Sequence, residues 1–520
     1  MPERPDNVPI LVGDYIELEI EAFADGADAF GRLGGYVVLV AGVLPGERIS
    51  AKVSSASAKF GRAELVTVLQ ASPQRVTPSC RHFMQCGGCH LQHVDYAQQL
   101  VRKRERLEKA IVHHMGDRAP KVLPTLAPPS PWGQRSKIAL HLKGAGRHLV
   151  GGLRPMRAIG LVPIGDCVAS DPKAVELALD AVAQLGETGL AAWDDDNPHG
   201  VLRSIVVRRS QATGESHLVI VTTPGRVPQL ALAAAELQKL GATTVSVNEN
   251  DGPLSQLMGR DTEVLRGPRR IREVVDGVEY MLSPDAFFQT SHAGARHAVQ
   301  QVVEWLAPTR RDVVADFYCG GGLFSLQLAR HAKHVIGIEQ SMTAVRDAEA
   351  STNVQQVRNV EFHRVDVGRA LAGWRRKGMP RPNLICLDPP RYGLPPRAAQ
   401  YLGEMAPRRM AYVSCEPDTL ARDLAELAEC GMRTNVVLPL DMFPQTYHVE
   451  AVALLEPGTD QAKPKVVSAP AAAIPAAAPA PEPEPLRPEM LDPAEPVEHR
   501  DVPADAGDAG GDEPPEPVPT

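Results

Sequence analysis

The chain has 520 residues, 43% of them hydrophobic, and a formal net charge of −8, which allows large cores and a length of about three domains. No run approaches the roughly 18 to 20 uninterrupted apolar residues of a membrane span, and Met1-Pro-Glu-Arg-Pro-Asp-Asn7 lacks the cationic-then-apolar pattern of a secretory signal; a cytoplasmic protein is expected. Eight cysteines are too few and too clustered for a secreted disulfide scaffold. The negative charge does not exclude a nucleic-acid partner, because it belongs to one end. Residues 458–520 hold 13 acidic and 4 basic residues, leaving 51 basic against 50 acidic in the rest. That end also carries 15 of the 47 prolines, as in Ala476-Ala-Ala-Pro-Ala-Pro-Glu-Pro-Glu-Pro485, so it reads as a disordered acidic Pro/Ala-rich tail.

Residues 9–70 read as short strands. Tyr15-Ile-Glu-Leu-Glu-Ile20 alternates, Gly35-Tyr-Val-Val-Leu-Val40 is β-rich, and Gly31, Gly34, Gly35 and Pro45-Gly46 punctuate them. An OB-like β-barrel is predicted, a fold that often binds nucleic acid. Next comes Cys80-Arg-His-Phe-Met-Gln-Cys86-Gly-Gly-Cys89, whose spacing and paired glycines suit a metal or cluster site. A helix follows over Ala97–Lys109, and its four basic residues between Arg102 and Arg106 read as a solvated face. From about 120 to 290 strand-like runs alternate with basic turns, Gln134-Arg-Ser-Lys-Ile138, Arg154-Pro-Met-Arg157 and Val206-Val-Arg-Arg209, which can meet phosphates without reading sequence.

From about 300 the pattern becomes β-α-β, with strands at Asp312–Asp316, His334–Ile338, Leu384–Asp388 and Met410–Ser414, predicting a doubly wound parallel sheet. Asp316-Phe-Tyr-Cys-Gly-Gly-Gly-Leu-Phe324 follows the first of these strands and opens a helix, where glycines let a ligand approach the backbone. Glu339 lies 23 residues beyond Asp316, roughly the spacing at which a carboxylate meets ribose hydroxyls. Asp366 follows another β-like run, Val360–Val365. The turn is neither G-x-G-x-x-G nor a Walker loop, so S-adenosylmethionine fits better than a nicotinamide or a triphosphate. Asp388-Pro-Pro-Arg-Tyr-Gly393 is a stiff loop that exposes a carboxylate at the sheet's carboxyl edge. In amino-methyltransferases an aromatic residue normally follows such a turn; here Arg391 does, which argues against nitrogen chemistry. Cys415, in Ser414-Cys-Glu-Pro417 after an apolar strand, is placed to act as a nucleophile.

At these residues the chain resembles the RNA uracil-C5 methyltransferases. Phe287-Phe-Gln-Thr290, Asp316–Gly322, Asp388-Pro-Pro-Arg-x-Gly393, Ser414-Cys-Glu-Pro417 and Phe443-Pro-Gln-Thr-Tyr-His-Val-Glu450 occur in that family's order. The C-x5-C-G-G-C run, the remote Cys167 and a barrel resembling a TRAM domain make it similar to the iron–sulfur, 23S-rRNA branch. The resemblance covers about residues 10–456 and implies a multidomain α/β protein. Its parts are a TRAM barrel (9–70), a central α+β domain with the cysteine site and an RNA-binding surface (71–295) and a Rossmann-like class I methyltransferase domain (296–457), followed by the tail (458–520).

It further implies that Cys415 is the nucleophile at uracil carbon 6 and Glu450 the base. Gln289, Tyr318, Glu339, Asp366 and Asp388 match the family's S-adenosylmethionine contacts, and Cys80, Cys86, Cys89 and Cys167 would bind a [4Fe–4S] cluster, which is expected to shape the RNA-binding domain rather than do redox chemistry. The sequence leaves structural zinc open. Two positions depart from the family pattern, Ser291 where asparagine is common and Leu323 where the rRNA branch often has a polar residue. Cys319, Cys386 and Cys430 read as core or turn residues. The expected partner is 23S rRNA, with no membrane and no obligate protein partner for a monomer. The alternatives are the same chemistry on a tRNA T-loop uridine or a silent RNA-binding platform; the latter is opposed by the intact Cys415, Glu450 and Asp388.

Overall fold

The computed structural model describes residues 8–194, 197–253 and 256–458, all within one compact unit. Apart from Gly458, the segment expected to be disordered lies outside the described residues. Strands β1 (Tyr15–Phe23), β2 (Asp28–Leu33), β3 (Tyr36–Ala41), β4 (Arg48–Ala56) and β5 (Gly61–Gln70) form a closed barrel in the order β1-β2-β3-β5-β4. The alternation in β1 points Leu18 and Ile20 inward against Val38, Val40, Ile49 and Val53. Leu33 pairs with Tyr36 across a two-residue turn in which Gly34 and Gly35 have φ of 58° and 90°, the two left-handed positions that a tight hairpin requires.

The cysteine segment leads into α1 (Tyr96–Met115), capped by the Asp95 side chain and ended at Gly116. Then come β6 (Lys121–Val122), β7 (Lys137–Lys143), β8 (Val150–Leu153), β9 (Val162–Pro163), α2 (Pro172–Gly186), β10 (Leu202–Arg209), β11 (Ser216–Thr222), α3 (Pro228–Lys239), β12 (Thr244–Glu249) and β13 (Thr262–Arg266). Strands β7 to β13 build the central sheet, ordered β13-β12-β11-β10-β7-β8-β9, and α2 and α3 pack apolar faces on it. A hairpin, β14 (Ile271–Val275) and β15 (Val278–Leu282), leads to α4 (His292–Leu306).

The C-terminal unit runs β16 (Val313–Phe317), α5 (Leu323–Ala329), β17 (His334–Glu339), α6 (Met342–Val354), β18 (Val360–Arg364), α7 (Val367–Gly373), β19 (Leu384–Leu387), α8 (Ala398–Met405), β20 (Arg409–Ser414), α9 (Pro417–Glu429), β21 (Met432–Leu440) and β22 (Glu450–Pro457). The sheet order is β18-β17-β16-β19-β20-β22-β21-β6. Strands β16 to β20 are parallel, and β22 is inserted antiparallel between β20 and β21. One face packs on α4, α5 and the β14–β15 hairpin, the other on α7, α8, α9 and α1. Helix α1 and strand β6 thus complete the C-terminal sheet although they fall within residues 71–295, the stretch expected to form the central domain. Among the described residues no helix is long and apolar enough to cross a membrane.

Three of the four basic residues in the α1 run are not on a solvated face; only Arg104, paired with Glu108 one turn on, remains at the surface. Lys103 is fully buried, 2.5 Å from Asp441 Oδ1 and 2.9 Å from the Phe443 carbonyl. Arg102 lies 3.5 Å over the Phe23 ring and donates to the Gly26 carbonyl. Arg106 pairs with Asp25 and with Glu416. Burying such charges is tolerable only because each meets a partner, and the partners come from the barrel and from the C-terminal loops, which periodicity cannot reveal.

The basic turns of the central domain are likewise largely internal. Arg208 is buried and donates to the carbonyls of Ala286 and Phe288, Arg209 pairs with Asp171, Arg157 with Asp28, and Arg135 donates to Gly88 O and Cys89 Sγ. These arginines brace one part of the molecule against another.

Candidate active site

The sheet topology gathers the motif residues at one edge. Strand β16 ends at Phe317, and the chain turns sharply through Tyr318 (φ 64°), Gly320 (φ 53°) and Gly322 (φ 86°) into α5. Tyr318 N and Cys319 N both donate to Ile338 O, at 2.9 and 3.1 Å, and Gly320 N donates to Glu339 Oε2 at 3.2 Å. The glycine turn is therefore folded onto the end of β17, where Glu339 also accepts from Ser341 N. Asp366 caps α7 one strand further along, accepting from Arg369 N. The Tyr318 hydroxyl is pushed upward first by burial and then by Tyr392 and the carboxylates of Asp366, Asp423 and Glu339, so the predicted cofactor residues of this sheet share one electrostatic neighbourhood.

Gln289 arrives from outside the sheet, half-buried in the segment between β15 and α4. Ser136 N and Oγ hold the Thr290 carbonyl at 2.8 and 2.9 Å, and Thr343 Oγ1 at the start of α6 bonds Asp285 at 3.3 Å. Ser291, one of the two departures from the family pattern, caps α4 by accepting from Gly294 N. Leu323, the other, is buried in the core at the start of α5. Cys319 and Cys386 are buried, and Cys430 ends α9.

The second half of the site lies at the ends of the next two strands, β19 and β20. Asp388 follows β19 and donates its backbone N–H to Phe317 O at 3.3 Å. The rest of its loop is held by α9: Thr419 Oγ1 donates to Arg391 O, Arg422 Nη2 to Tyr392 O, and Asp423 Oδ2 accepts from Leu394 N and from Tyr412 OH. Cys415 follows β20 directly. The antiparallel register pairs Ser414 with Ala451, so the next step along each strand sets Cys415 across from Glu450, the first residue of β22. Glu450 is only 3% exposed.

Electrostatics bind these groups together. Burial pushes the Cys415 thiol up to about 11, with Glu450 and Asp388 adding to the rise, while the positive charge of Arg391 opposes it. Glu450 is held well above the usual carboxylate range by burial and by Asp388. Burial lifts Asp388 to about 7, and Asp316, buried with Ser325 Oγ 2.5 Å from Oδ2, also to about 7. Arg391 and Asp316 are charged or titratable neighbours that sequence reasoning left off the site; Arg391 was visible in the Asp-Pro-Pro-Arg loop, but its electrostatic influence on Cys415 was not.

Cys80, Cys86, Cys89 and Cys167 line one cavity together with His82, Arg135 and Asp166. All four are free thiols. Gly88 N donates to Cys86 Sγ at 3.3 Å and Arg135 Nη2 to Cys89 Sγ at 3.7 Å, the kind of donors that stabilise metal-bound thiolates. Among the described residues no three His, Cys, Asp or Glu gather tightly enough to hold a single metal ion.

A glycine turn at the carboxyl edge of a doubly wound sheet, with acidic residues ending the adjoining strands, is the arrangement of an enzyme that uses a nucleoside-bearing cofactor. Comparison with known proteins makes this specific. The tRNA (uracil-5-)-methyltransferase family model matches residues 270–457 and the TRAM domain model residues 9–66. Uncharacterized RNA methyltransferases of Halalkalibacterium halodurans and Listeria innocua are each 31% identical to the chain. They align over 86% and 85% of it, and over 98% and 97% of their own lengths. The tRNA (uracil-54, C5)-methyltransferase of Pyrococcus abyssi, solved with S-adenosyl-L-homocysteine, superposes with a TM-score of 0.66 at 28% identity, covering 84% of this chain and 99% of that one. The chain belongs to the RNA uracil-C5 methyltransferase family and is an S-adenosylmethionine-dependent enzyme with an N-terminal TRAM barrel.

Proposed function

We propose that the enzyme methylates carbon 5 of a uridine in 23S rRNA, with Cys415 as nucleophile and Glu450 as base. The observation that carries this reading is the β20–β22 register, which sets the thiol and the buried carboxyl across from each other at the sheet edge. Carbon 5 of uracil is a poor nucleophile. Cys415 Sγ adds to carbon 6, and the electron pair of the 5,6 double bond is displaced toward the ring carbonyl, making carbon 5 electron-rich. Carbon 5 then forms its bond to the sulfonium methyl, and the broken S–CH3 pair stays on sulfur. Glu450 removes the proton left on carbon 5; that pair restores the double bond and expels the Cys415 thiolate. Arg391 stabilises the thiolate at both ends of the cycle. Gln289, Tyr318, Glu339, Asp366 and Asp388 hold the methyl donor, Glu339 at the ribose and Asp366 on the adenine side, with Asp388 between donor and uracil.

Cys80, Cys86, Cys89 and Cys167 line one cavity, which supports reading them together as the ligands of a [4Fe–4S] cluster. Such a cluster, held by Cys80, Cys86, Cys89 and Cys167, would supply a rigid cross-link between the cysteine segment and the loop of Cys167. The barrel, the central sheet and the methyltransferase sheet, the last completed by α1, β6 and the β14–β15 hairpin, act on an unstacked loop uridine in the cytoplasm. A second reading, tRNA as substrate, is favoured by the substrate for which the Pyrococcus abyssi enzyme is named; the barrel and the cysteine set favour rRNA.

The test is transfer of labelled methyl groups to undermodified 23S rRNA and, separately, to unmodified tRNA, followed by nucleoside mass spectrometry. 5-Methyluridine in rRNA alone supports the proposal, and label in tRNA alone moves the same mechanism to the second substrate. Anaerobic purification with iron, sulfide and zinc analysis checks the cluster: four iron and four sulfide per chain are expected, and stoichiometric zinc contradicts it.

A further inference from the structure

The loop from Asp441 to Val449 delivers Glu450 to the active site, and one face of α1 grips it. Tyr96, Gln99 and Lys103 are spaced i, i+3 and i+7, so they point the same way from the helix. Tyr96 OH donates to Asp441 Oδ2 at 2.8 Å, and Lys103 Nζ holds Asp441 Oδ1 and the Phe443 carbonyl. Gln99, only 1% exposed, makes a reciprocal pair with Gln445: its Nε2 donates to Gln445 Oε1 at 3.0 Å and its Oε1 accepts from Gln445 N at 3.1 Å. The same Nε2 also reaches the carbonyls of Leu91 and Val94.

Gln445 is itself unusual. It is buried, it is not glycine, and its φ is 68°, a conformation that persists only when the surroundings impose it. Its carbonyl accepts from two consecutive backbone donors, His90 N at 2.8 Å and Leu91 N at 2.9 Å. Those are the first two residues after Cys89. The cysteine segment and α1 therefore close on one residue, five positions before Glu450.

We propose that Gln99 and Gln445 form a positioning pair that sets Glu450 against carbon 5, with the segment after Cys89 as its third member. This deepens the proposed function and rests on Glu450 being the base. Gln99 and Gln445 are both buried and act as positioning residues by fixing the path of the loop. Displacing a reacting group by about 1 Å can cost on the order of 100-fold in rate, and here the loss falls on the last chemical step. The enzyme then still adds Cys415 to carbon 6 and still transfers the methyl group, but it releases product slowly because the carbon 5 proton remains.

The experiment compares wild type with Gln99→Ala, Gln445→Gly and Glu450→Gln, using S-adenosylmethionine labelled in the methyl group and saturating RNA. Gln445→Gly keeps the backbone carbonyl and accepts φ of 68° without strain, so it guards against a mere folding defect in Gln99→Ala; melting curves check both. The expected result is a fall in kcat of about 10- to 100-fold with KM for RNA falling alongside it, because the slowed step follows methyl transfer and leaves kcat/KM unchanged, together with a labelled protein–RNA adduct that survives denaturing electrophoresis. Unchanged kcat overturns the pair, as does a raised KM, or a lowered kcat without adduct while Glu450→Gln accumulates it. If Glu450→Gln itself accumulates no adduct, the assignment of the base fails instead, a result separable from the first.

Discussion

Arg391→Ala removes the cation that opposes the rise of the Cys415 thiol, and the consequence is measurable without RNA. With the thiol at about 11, only about one molecule in a thousand carries a thiolate at pH 8. A neighbouring opposite charge typically moves a titration by about one to three pH units, and the Arg391 guanidinium attracts the thiolate. Its loss therefore lowers the thiolate fraction at pH 8 about tenfold or more, each factor of ten being about 1.4 kcal/mol. The sign follows from the charge: the arginine favours the anion, so without it the thiol stays protonated to higher pH. Alkylation by iodoacetamide, followed at the Cys415 peptide by mass spectrometry from pH 7 to 10, reads this directly. In wild type the rate climbs about tenfold per pH unit with no plateau below pH 10. In Arg391→Ala it is about tenfold slower at every pH, and Arg391→Lys is intermediate because a point charge replaces the guanidinium. Equal rates in wild type and Arg391→Ala, or a wild-type plateau near the ordinary thiol value, would refute the reasoning.

Other consequences concern the ion pairs and carboxyls. Lys103→Met leaves Asp441 buried and uncompensated, costing about 3–5 kcal/mol in denaturant melts; Lys103→Met with Asp441→Asn should recover most of the loss, and no recovery contradicts a charge-based cause. Glu339→Ala should weaken S-adenosyl-L-homocysteine binding by about 10- to 100-fold in calorimetry, the loss of hydrogen bonds to a charged group being about 1.5–3 kcal/mol; an unchanged Kd argues against ribose contact. Asp316 and Asp388 titrate near 7 rather than near 3.8, so folding takes up protons there. The stability they contribute is complete below about pH 4 and lost as pH rises to about 7. Asp388→Asn, which keeps the neutral form, should therefore melt higher than wild type at pH 8 but not at pH 4, while losing activity; a lower melting temperature at pH 8 would count against burial as the cause.

Much of the C-terminal half was legible in the sequence because its signals are local. The apolar runs ending at Asp316, Ile338, Asp388 and Ser414 each became a parallel strand or its end, and the glycine turn and Asp-Pro-Pro-Arg loop sit where strand–loop chemistry puts them. The alternation of Tyr15–Ile20 likewise announced a barrel. What stayed hidden depends on partners far along the chain. Lys103 finds Asp441 across 338 positions, so its helix read as solvated when it is a buried brace. Arg135, Arg208 and Arg209 read as phosphate contacts, yet their partners are internal. The proximity of Glu450 to Cys415 follows from a strand register, which no spacing encodes. The cysteine segment is remote in sequence from the catalytic residues, although His90 and Leu91 bond directly to the loop before Glu450.

Covalent attack by Cys415 is the step on which the rest of the mechanism depends. RNA carrying 5-fluorouridine at the target position has fluorine where Glu450 must remove a proton, so the methylated adduct cannot break down. Incubated with this RNA and S-adenosylmethionine, the enzyme should form a stable complex whose digest shows the Cys415 peptide joined to a 5-fluoro-5-methyl-dihydrouridine. No adduct with wild-type enzyme that is active on ordinary RNA, or an adduct on another residue, would contradict the mechanism.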